Sequence, residues 1–309
     1  MPELPEVETI KQGLIPFVQN HCVRDIKVRQ WNLRWPISKD IFNLIDQPIQ
    51  ALERRGKYLL FVSTKGTLLM HLGMSGRVKI LSAEAAPGKH DHVDILFEKS
   101  GFGKSGPEKK GPKKKGFEEK DFKEKGPKEK SLKKGHILRF TDPRRFGCLL
   151  WTEEVIEAHP LLKTLGPEPL EKFFNADYFF AKAKNKKTPI KSFIMDSHVV
   201  VGVGNIYANE ALFLAGVHPL CSTHTLSYEE IKRLVKGIKR VLTQAIAQGG
   251  TTLKDFSNSH GSPGYFQQKL KVYGRAGHAC MKCKTPLEET RLAQRSSVFC
   301  PECQPGLFN

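Results

Sequence analysis

The sequence lacks three features, and each absence narrows the class of protein. It has no run of about 18 apolar residues, so we expect no transmembrane helix. Its N-terminus is acidic and amphipathic, not a basic leader followed by an apolar core, so we expect no secretory signal and a cytoplasmic location. Acidic residues are scarce: 32 Asp and Glu stand against 50 Lys and Arg, a formal net charge of +18. This basic excess predicts a polyanionic partner, either nucleic acid or an anionic membrane.

The basic charge is shared between one Lys-rich segment and the rest of the chain. Residues 99–135 hold 14 Lys against 6 acidic residues, a net +8, which leaves +10 of the total +18 elsewhere. Repeated Gly-Pro and Lys-Lys pairs predict that this segment is a disordered insertion. It either adds non-specific attraction to phosphates or serves as a neutral spacer. The remaining charge predicts a basic binding face on the folded body, with solubility alone as the alternative.

The spacing of apolar residues predicts an α+β fold in three parts. Helical periodicity over residues 3–18 is followed, from about residue 22 to 152, by short apolar or alternating runs separated by polar turns. These runs predict a β-sandwich or barrel with a flanking helix. Helical periodicity returns after residue 153, and strand-like runs surround the C-terminal cysteines. The predicted domains are 1–152 (with the insertion 99–135), 153–266 and 267–309.

Four cysteines near the C-terminus form two C-x-x-C pairs, Cys280/Cys283 and Cys300/Cys303. In a chain without a secretory signal such pairs predict metal ligands, not disulfides. Four thiolates satisfy the tetrahedral preference of Zn²⁺ and leave no position for water, so we expect one structural zinc. The intervening hairpin would present Arg295 to phosphate, because a planar guanidinium binds phosphate oxygens in pairs.

Pro2 and Glu3 open the chain in a pattern that has two interpretations. Removal of Met1 would make Pro2 a secondary amine, and an α-amino group has a pKa of about 8, against about 10.4 for Lys, so more of it is neutral at pH 7. Its attack on a sugar C1′ gives an iminium with no N–H to lose, a lasting electron sink for elimination. Glu3 beside it suits proton transfer. The alternative is that both residues only begin a helix.

A series of motifs, in order along the chain, resembles the formamidopyrimidine-DNA glycosylases. The motifs are MPELPEVET at the start, RRGKYLL at 54–60, HLGMSGR at 71–77, HDHVD at 90–94, TDPRRFG at 141–147, VVGVGNIYANE at 200–210, GGTTLKDF at 249–256 and the terminal cysteine pairs. The likeness covers the chain apart from the insertion and the last few residues. Leu4 favours the oxidised-purine branch over the endonuclease VIII branch, which usually opens Pro-Glu-Gly-Pro.

The resemblance implies an N-terminal β-sandwich, a helix–two-turn–helix domain and a C-terminal zinc ribbon, with DNA bound in the cleft between them. It implies a monomer, without an organic cofactor, that flips 8-oxoguanine or formamidopyrimidines out of duplex DNA. Pro2 would displace the base, with Glu3 as acid and base, and β,δ-elimination would leave a one-nucleotide gap. Lys57 matches a lysine that assists β-elimination and contacts phosphate. Arg295 matches a zinc-finger arginine linked to δ-elimination.

The resemblance also assigns DNA contacts. Met74, Arg144 and Phe146 match three residues that fill the space left by the flipped base; for Met74 and Phe146 core packing is the alternative. Residues that match DNA-binding positions are His71, His90, Arg144, Lys186, Lys187, Lys191, Asn205, Tyr207 and Tyr273. For any one histidine a structural role is the alternative. Lys254 and Ser257 fall in the loop that grips the lesion, where Ser257 departs from the commoner family residue and leaves the exact lesion preference open.

The segment Gly202-Val203-Gly204 has part of a dinucleotide-binding pattern. Tyr207 stands where the third glycine would be, so this interpretation is rejected. The segment instead predicts a tight turn whose backbone N–H groups approach a phosphate.

Two further hypotheses stand beside the repair enzyme. One is a zinc-containing DNA-binding protein without catalysis, which would bind an abasic analogue and leave it uncut. The other is an endonuclease VIII-like preference for oxidised pyrimidines, which excision of thymine glycol would reveal.

The charge distribution predicts that DNA binding weakens steeply with salt, since several phosphates would be neutralised. Titrations of the full chain and of a variant lacking residues 100–134 measure the slope of log K against log salt. A flatter slope in the deletion variant indicates that the insertion contacts DNA, and an unchanged slope indicates a spacer.

Overall fold

The computed structural model describes residues 2–98, 135–250 and 270–306. Nearly all of the predicted insertion, and the lesion-loop residues Lys254 and Ser257, lie outside these ranges. Within them, no helix combines the length and the apolar character needed to cross a membrane.

Strands and helices follow one another in the predicted α+β order. The α-helices in the described ranges are α1 (Leu4–Val18), α2 (Ala176–Ala183), α3 (Ile190–Met195), α4 (Asn205–Ala215) and α5 (Tyr228–Ala247). The strands are β1 (Cys22–Val28), β2 (Ala51–Arg55), β3 (Tyr58–Val62), β4 (Thr67–His71), β5 (Arg77–Ser82), β6 (Asp91–Glu98), β7 (His136–Thr141), β8 (Cys148–Thr152), β9 (Glu288–Leu292) and β10 (Arg295–Phe299). Short 3-10 helices span Lys39–Leu44, Ile156–Ala158 and Thr223–Thr225.

Two antiparallel four-stranded sheets form the N-terminal sandwich, in the orders β1-β6-β7-β5 and β2-β3-β4-β8. One apolar core joins both sheets to α1, which contributes Val7, Ile10 and Leu14 at helical spacing. The predicted N-terminal helix and the sandwich are therefore confirmed. Strands β6 and β7 pair directly with each other, so the insertion joins two neighbouring strands.

The helices α2 to α5 pack around a second apolar core. Helix α5 begins with a capping box, in which Ser227 and Glu230 each bind the other's backbone N–H. Helix α4 ends at Ala215 and is capped by Gly216, whose φ of +71° suits a residue without a Cβ. Strand β8 ends at the residue where the sequence places the end of the first domain, although the three domain boundaries stay predictions.

The segment 271–273, which leads into the zinc-ribbon part, is fastened to α4 by the buried side chain of Glu210. Its carboxylate accepts hydrogen bonds of 2.9 Å from the backbone N–H groups of Lys271, Val272 and Tyr273. Beside it, Phe213 of α4 packs against the apolar side chains of the hairpin. The C-terminal part is thus held to α4 by the hydrogen bonds of Glu210 and by the apolar contact of Phe213.

Replacing Glu210 should destabilise the protein, because Glu210→Ala leaves three N–H groups without an acceptor. The N–H of Val272 is the buried one of the three, and at about 1–3 kcal/mol for an unsatisfied buried group we expect a loss of at least about 1 kcal/mol in the free energy of unfolding, measured with urea. The control is Glu229→Ala, an exposed position on α5, with a change within about 0.5 kcal/mol. Equal unfolding midpoints for the two variants would contradict the assigned role of Glu210.

Candidate active site

All three parts of the chain line one cleft, a cavity of about 790 Å³. The sandwich contributes Lys57 and His71, the helical part contributes Asn205, and the zinc-ribbon hairpin contributes Arg295. Glu3 is the one acidic side chain among the lining residues in the described ranges, while several basic groups surround it. The cleft therefore favours an anionic ligand and contains a single carboxylate to move protons.

Glu3 is fixed at the N-terminus of α4. Its carboxylate accepts hydrogen bonds from the backbone N–H groups of Gly204 (2.9 Å), Ile206 (3.0 Å) and Tyr207 (3.4 Å). Burial raises the pKa of Glu3 to about 7, although the Lys57 ammonium and the N–H groups of Ile206 and Tyr207 oppose this shift. Near neutral pH both protonation states are populated, which suits a group that gives and takes protons.

The two glycines before α4 make room for the N-terminus. A Cβ on Gly204 would lie 2.2 Å from Cδ of Glu3, and one on Gly202 would lie 2.4 Å from Cδ1 of Leu4. The turn was expected to offer its N–H groups to a phosphate, but the N–H of Gly204 is bound by the carboxylate of Glu3, as are those of Ile206 and Tyr207 in α4. For the rest of the turn the phosphate contact stays a prediction.

Pro2 is buried immediately before this anchored carboxylate. Helix α1 begins two residues later, and the backbone N–H of Leu4 donates to the carbonyl of Gly202 at 3.1 Å. The hydrogen bonds of Glu3 and Leu4 to the turn before α4 therefore fix the chain directly after Pro2. The positive end of α1 favours the neutral form of an amine placed there.

Lys57 lies in the turn between β2 and β3, and burial lowers its pKa. The nearby charges of Glu3 and Glu6 raise this pKa, and that of Arg295 lowers it. The turn itself is clamped by Glu168, whose carboxylate accepts hydrogen bonds from the Gly56 backbone (2.6 Å) and from the side chains of Arg54 and Arg55. Glu168 was not predicted as part of the site, because no local sequence pattern indicates that it binds the β2–β3 turn.

Arg295 begins β10 directly after a two-residue turn. That turn contains Ala293 and Gln294, both with positive φ, and it places Arg295 on the wall of the cleft. The prediction that the hairpin presents Arg295 agrees with this position. Whether it touches phosphate stays a prediction.

Lys191 was expected to contact DNA, and the structure corrects this. Its side chain is 1% exposed, and its Nζ donates to the carbonyl of Ser296 (2.5 Å) and to Oγ of Ser297 (2.7 Å). Burial, together with the charge of Arg295, lowers the pKa of Lys191 to about 8. Lys191 braces the strand that carries Arg295 and does not face the solvent.

Tyr207 requires the same correction. It is 1% exposed, and its hydroxyl donates to Oε1 of Glu6 at 2.5 Å. The other oxygen of Glu6 accepts the backbone N–H of Glu3 at 2.9 Å. Tyr207 therefore supports the N-terminus through Glu6 and leaves no hydroxyl for a phosphate. Glu6 was missed, although its spacing of three residues from Glu3 is that of a capping box and could have revealed it.

His71, Asn205 and Tyr273 all line the cleft, as their predicted roles require. The backbone N–H of Gly73 donates to Nδ1 of His71 at 3.0 Å, so the neutral ring carries its proton on Nε2. Burial lowers the pKa of His71 to about 4, with help from Lys57 and Arg34. His71 is thus a neutral hydrogen-bond donor at pH 7. Asn205 has a buried Oδ1 without a partner in the described residues.

The three predicted void-filling residues stand together and outside the core. Met74 is 39% and Phe146 is 43% exposed, so core packing is wrong for both. The guanidinium carbon of Arg144 lies 4.8 Å from the centre of the Phe146 ring. Their loop is organised by buried Asp142, which accepts hydrogen bonds from Gly147 N (2.8 Å) and Arg144 N (3.3 Å). Insertion into DNA stays a prediction.

Three other predicted DNA contacts lie away from the cleft lining. Lys186 and Lys187 are exposed just before α3, and His90 is partly exposed just before β6. They are not brought together with Glu3, but they remain open to solvent on the surface. Their roles stay predictions.

The four cysteines form the expected metal site. Their Sγ atoms all lie within 4.8 Å of one another, with 4.0 Å between Cys280 and Cys303 and 3.3 Å between Cys283 and Cys300. A tetrahedral Zn²⁺ with bonds of about 2.3 Å places thiolates about 3.8 Å apart, so the donor set fits one structural zinc. Bound there, the zinc would hold the turn positions from which β9 and β10 extend.

Comparison with known proteins agrees with this geometry. Family models match residues 1–107 as a formamidopyrimidine-DNA glycosylase N-terminal domain, 165–257 as its H2TH domain, and 277–306 as a zinc finger found in Fpg and isoleucyl-tRNA synthetase. A formamidopyrimidine-DNA glycosylase of Shewanella piezotolerans is 47% identical over 304 residues, which cover 98% of this chain and 99% of that protein. The chain belongs to the formamidopyrimidine-DNA glycosylase family.

Solved structures of the family have the same fold. Lactococcus lactis Fpg in complex with DNA containing an abasic site matches with a TM-score of 0.80, at 28% identity, over 98% of this chain and 100% of that one. The same protein with N7-benzyl-Fapy-dG DNA matches with a TM-score of 0.81, at 28% identity, over 99% and 100%.

The surroundings of Glu3 predict an unusual titration. In ¹³C-labelled protein, we expect the Glu3 carboxyl to titrate with a pKa of about 7, and Glu3→Gln identifies its signal by removing it. In Lys57→Met the pKa should rise further, because the ammonium that favours the carboxylate is gone. A titration close to the ordinary glutamate pKa of 4.5 would contradict the buried environment described above.

Proposed function

We propose that this protein excises oxidised purines, 8-oxoguanine and formamidopyrimidines, from duplex DNA and then cleaves the strand at the abasic site. The observation that carries the proposal is the buried carboxylate of Glu3, the one acidic group among the described lining residues, held beside Pro2 at the N-terminus of α4 in a cleft of cationic groups. Family membership supports the glycosylase activity. The lyase step and the residue roles are our assignments.

Pro2, freed by removal of Met1, is the nucleophile. Its nitrogen attacks C1′ of the flipped nucleotide, the N-glycosidic bond breaks, and the base leaves with a proton. Opening of the sugar ring gives an iminium, which takes up the electrons of the C2′–H bond when that proton is removed. The C3′–O bond then breaks and its phosphate leaves; removal of the C4′ proton in turn breaks the C5′–O bond and releases the second phosphate. Water releases the sugar from Pro2. The result is a one-nucleotide gap with a phosphate at each end.

Glu3 transfers protons to and from the sugar during these steps, because its pKa of about 7 makes both forms available. Lys57 assists β-elimination and binds phosphate, and Arg295 binds phosphate and assists δ-elimination. The lowered pKa of Lys57 makes its amine easier to deprotonate than a surface lysine. Lys191 and Tyr207 act indirectly, by positioning Arg295 and the N-terminus.

DNA is held by residues around the cleft. His71, Asn205 and Tyr273 bind the backbone at its lining, while His90, Lys186 and Lys187 bind it further out. Met74, Arg144 and Phe146 enter the duplex where the base was removed, with Arg144 toward the orphaned cytosine. Lys254 and Ser257 contact the lesion. We place the protein in the bacterial cytoplasm, acting as a monomer.

Borohydride trapping tests the nucleophile. With duplex containing 8-oxoguanine opposite cytosine, the protein should form a covalent complex. Extending the chain before Pro2 should abolish it, because the nitrogen then remains an amide. The extension leaves every cleft side chain in the sequence. An unchanged yield from Pro2→Gly combined with Lys57→Ala would refute both assigned roles. Binding to an abasic analogue without any cleavage would identify a DNA-binding protein that lacks catalysis.

A parallel assay on duplex containing thymine glycol tests the lesion class. Excision should be slower than for 8-oxoguanine. Faster excision of thymine glycol would favour the endonuclease VIII-like alternative.

A further inference from the structure

A short loop forms a wall of the cleft that has no role in the assignments above. It begins after β1 and is closed by a 2.9 Å hydrogen bond from the backbone N–H of Ile37 to the carbonyl of Trp31. Asn32 and Pro36 face each other across it as an isolated antiparallel bridge. Its tip carries Arg34 and Trp35, and both side chains line the cleft. The fold thus places an exposed guanidinium at the mouth of the candidate active site.

Arg34 is held in place by its backbone and by an aromatic neighbour. Its N–H donates to the carbonyl of Gly147 at 3.2 Å, directly after the predicted void-filling residue Phe146. Its guanidinium carbon lies 4.7 Å from the centre of the Trp35 ring. Stacking on the indole limits the conformations of the side chain. Less freedom is then lost when the guanidinium binds an anion.

The charges around Arg34 make this arrangement unfavourable without an anion. In the described parts of the chain, no carboxylate lies within 4.0 Å of Arg34, whereas Arg54 binds both Glu8 and Glu168. The charge of Arg34 reaches into the cleft, since it contributes to lowering the pKa of His71. A fixed cation in the same cleft as Lys57, with no carboxylate paired to it in the described residues, is the arrangement expected where a polyanion binds.

We propose that Arg34 is a further DNA-backbone contact, which binds a phosphodiester at the mouth of the cleft while stacked on Trp35. Its planar fork can donate two parallel hydrogen bonds to phosphate oxygens. Because the loop is tied to Gly147, this contact lies on the side of the cleft that carries Met74 and Phe146. The proposal rests on the proposed function, since it takes the cleft to be the DNA site.

The test measures the binding of a fluorescent duplex containing a tetrahydrofuran abasic analogue over a series of NaCl concentrations. Loss of one phosphate contact in Arg34→Gln should reduce the slope of log K against log salt by about 0.9. Arg34→Lys keeps the charge but not the fork or the stacking. It should retain the slope and bind more weakly than the unchanged protein.

Lys65→Gln is the charge-matched control. Lys65 is exposed in the turn after β3. The other end of that five-residue strand is Tyr58, which lines the cleft, so Lys65 lies away from the cleft. The strand spans about 17 Å at about 3.3 Å per residue. The slope of this variant should equal that of the unchanged protein. Circular dichroism and thermal melting verify the fold of each variant.

Two results would overturn the proposal. One is an Arg34→Gln slope equal to that of the unchanged protein; the other is an equal reduction in Lys65→Gln, which would trace the effect to net charge. Excision of 8-oxoguanine by the unchanged protein is measured in parallel. Excision with no effect of Arg34→Gln refutes the Arg34 contact alone, whereas a slope change without excision refutes the proposed function alone.

Discussion

The structure depends on one interaction, the carboxylate of Glu3 bound to three backbone N–H groups at the start of α4. This contact joins the sandwich to the helical part and places Pro2 beside the only acidic lining residue found in the described cleft. The N–H groups stabilise the charged form, and burial opposes them more strongly, so the pKa rises. The group that fastens the two parts together is therefore also the group that can exchange protons near neutral pH. Gly204 follows from the same constraint, since any Cβ there would displace Glu3.

Electrostatic repulsion in the cleft is the second constraint. Lys57, Arg295 and Arg34 line one cavity, and each side chain lowers the pKa of a neighbouring basic group. Such a cluster destabilises the free protein and becomes favourable when a polyanion enters. His71 avoids adding to the repulsion because it is neutral, with its proton fixed on Nε2 by the Gly73 hydrogen bond. The cleft thus combines charged groups, which attract an anion, with a neutral hydrogen-bond donor, which can orient it.

The features that sequence predicted well depend on residues close together in the chain. The apolar spacing of α1, the alternating strands and the cysteine pairs are short-range patterns, and the family motifs located Glu3 and Lys57. Tyr207 and Lys191 could not be predicted in the same way. Their partners, Glu6 and Ser296, lie 201 and 105 positions away, and nothing local shows that a long polar side chain turns inward. The acceptor of the Gly204 N–H could not be predicted for the same reason, because Glu3 lies 201 positions away in the chain.

Two hairpins of this protein differ in how far they can change in length. The β6–β7 pair accommodates the whole 99–135 insertion while Phe97 stays opposite His136, since the entropy of closing a loop grows only slowly with its length. The β9–β10 turn has two residues, Ala293 and Gln294, both left-handed, and Arg295 pairs with Leu292 directly across it. One added residue there could shift the register of β10 and turn Arg295 to the opposite face. Insertions at the first hairpin can therefore lengthen the chain with little consequence for the cleft, whereas at the second hairpin the insertion of a single residue would displace Arg295.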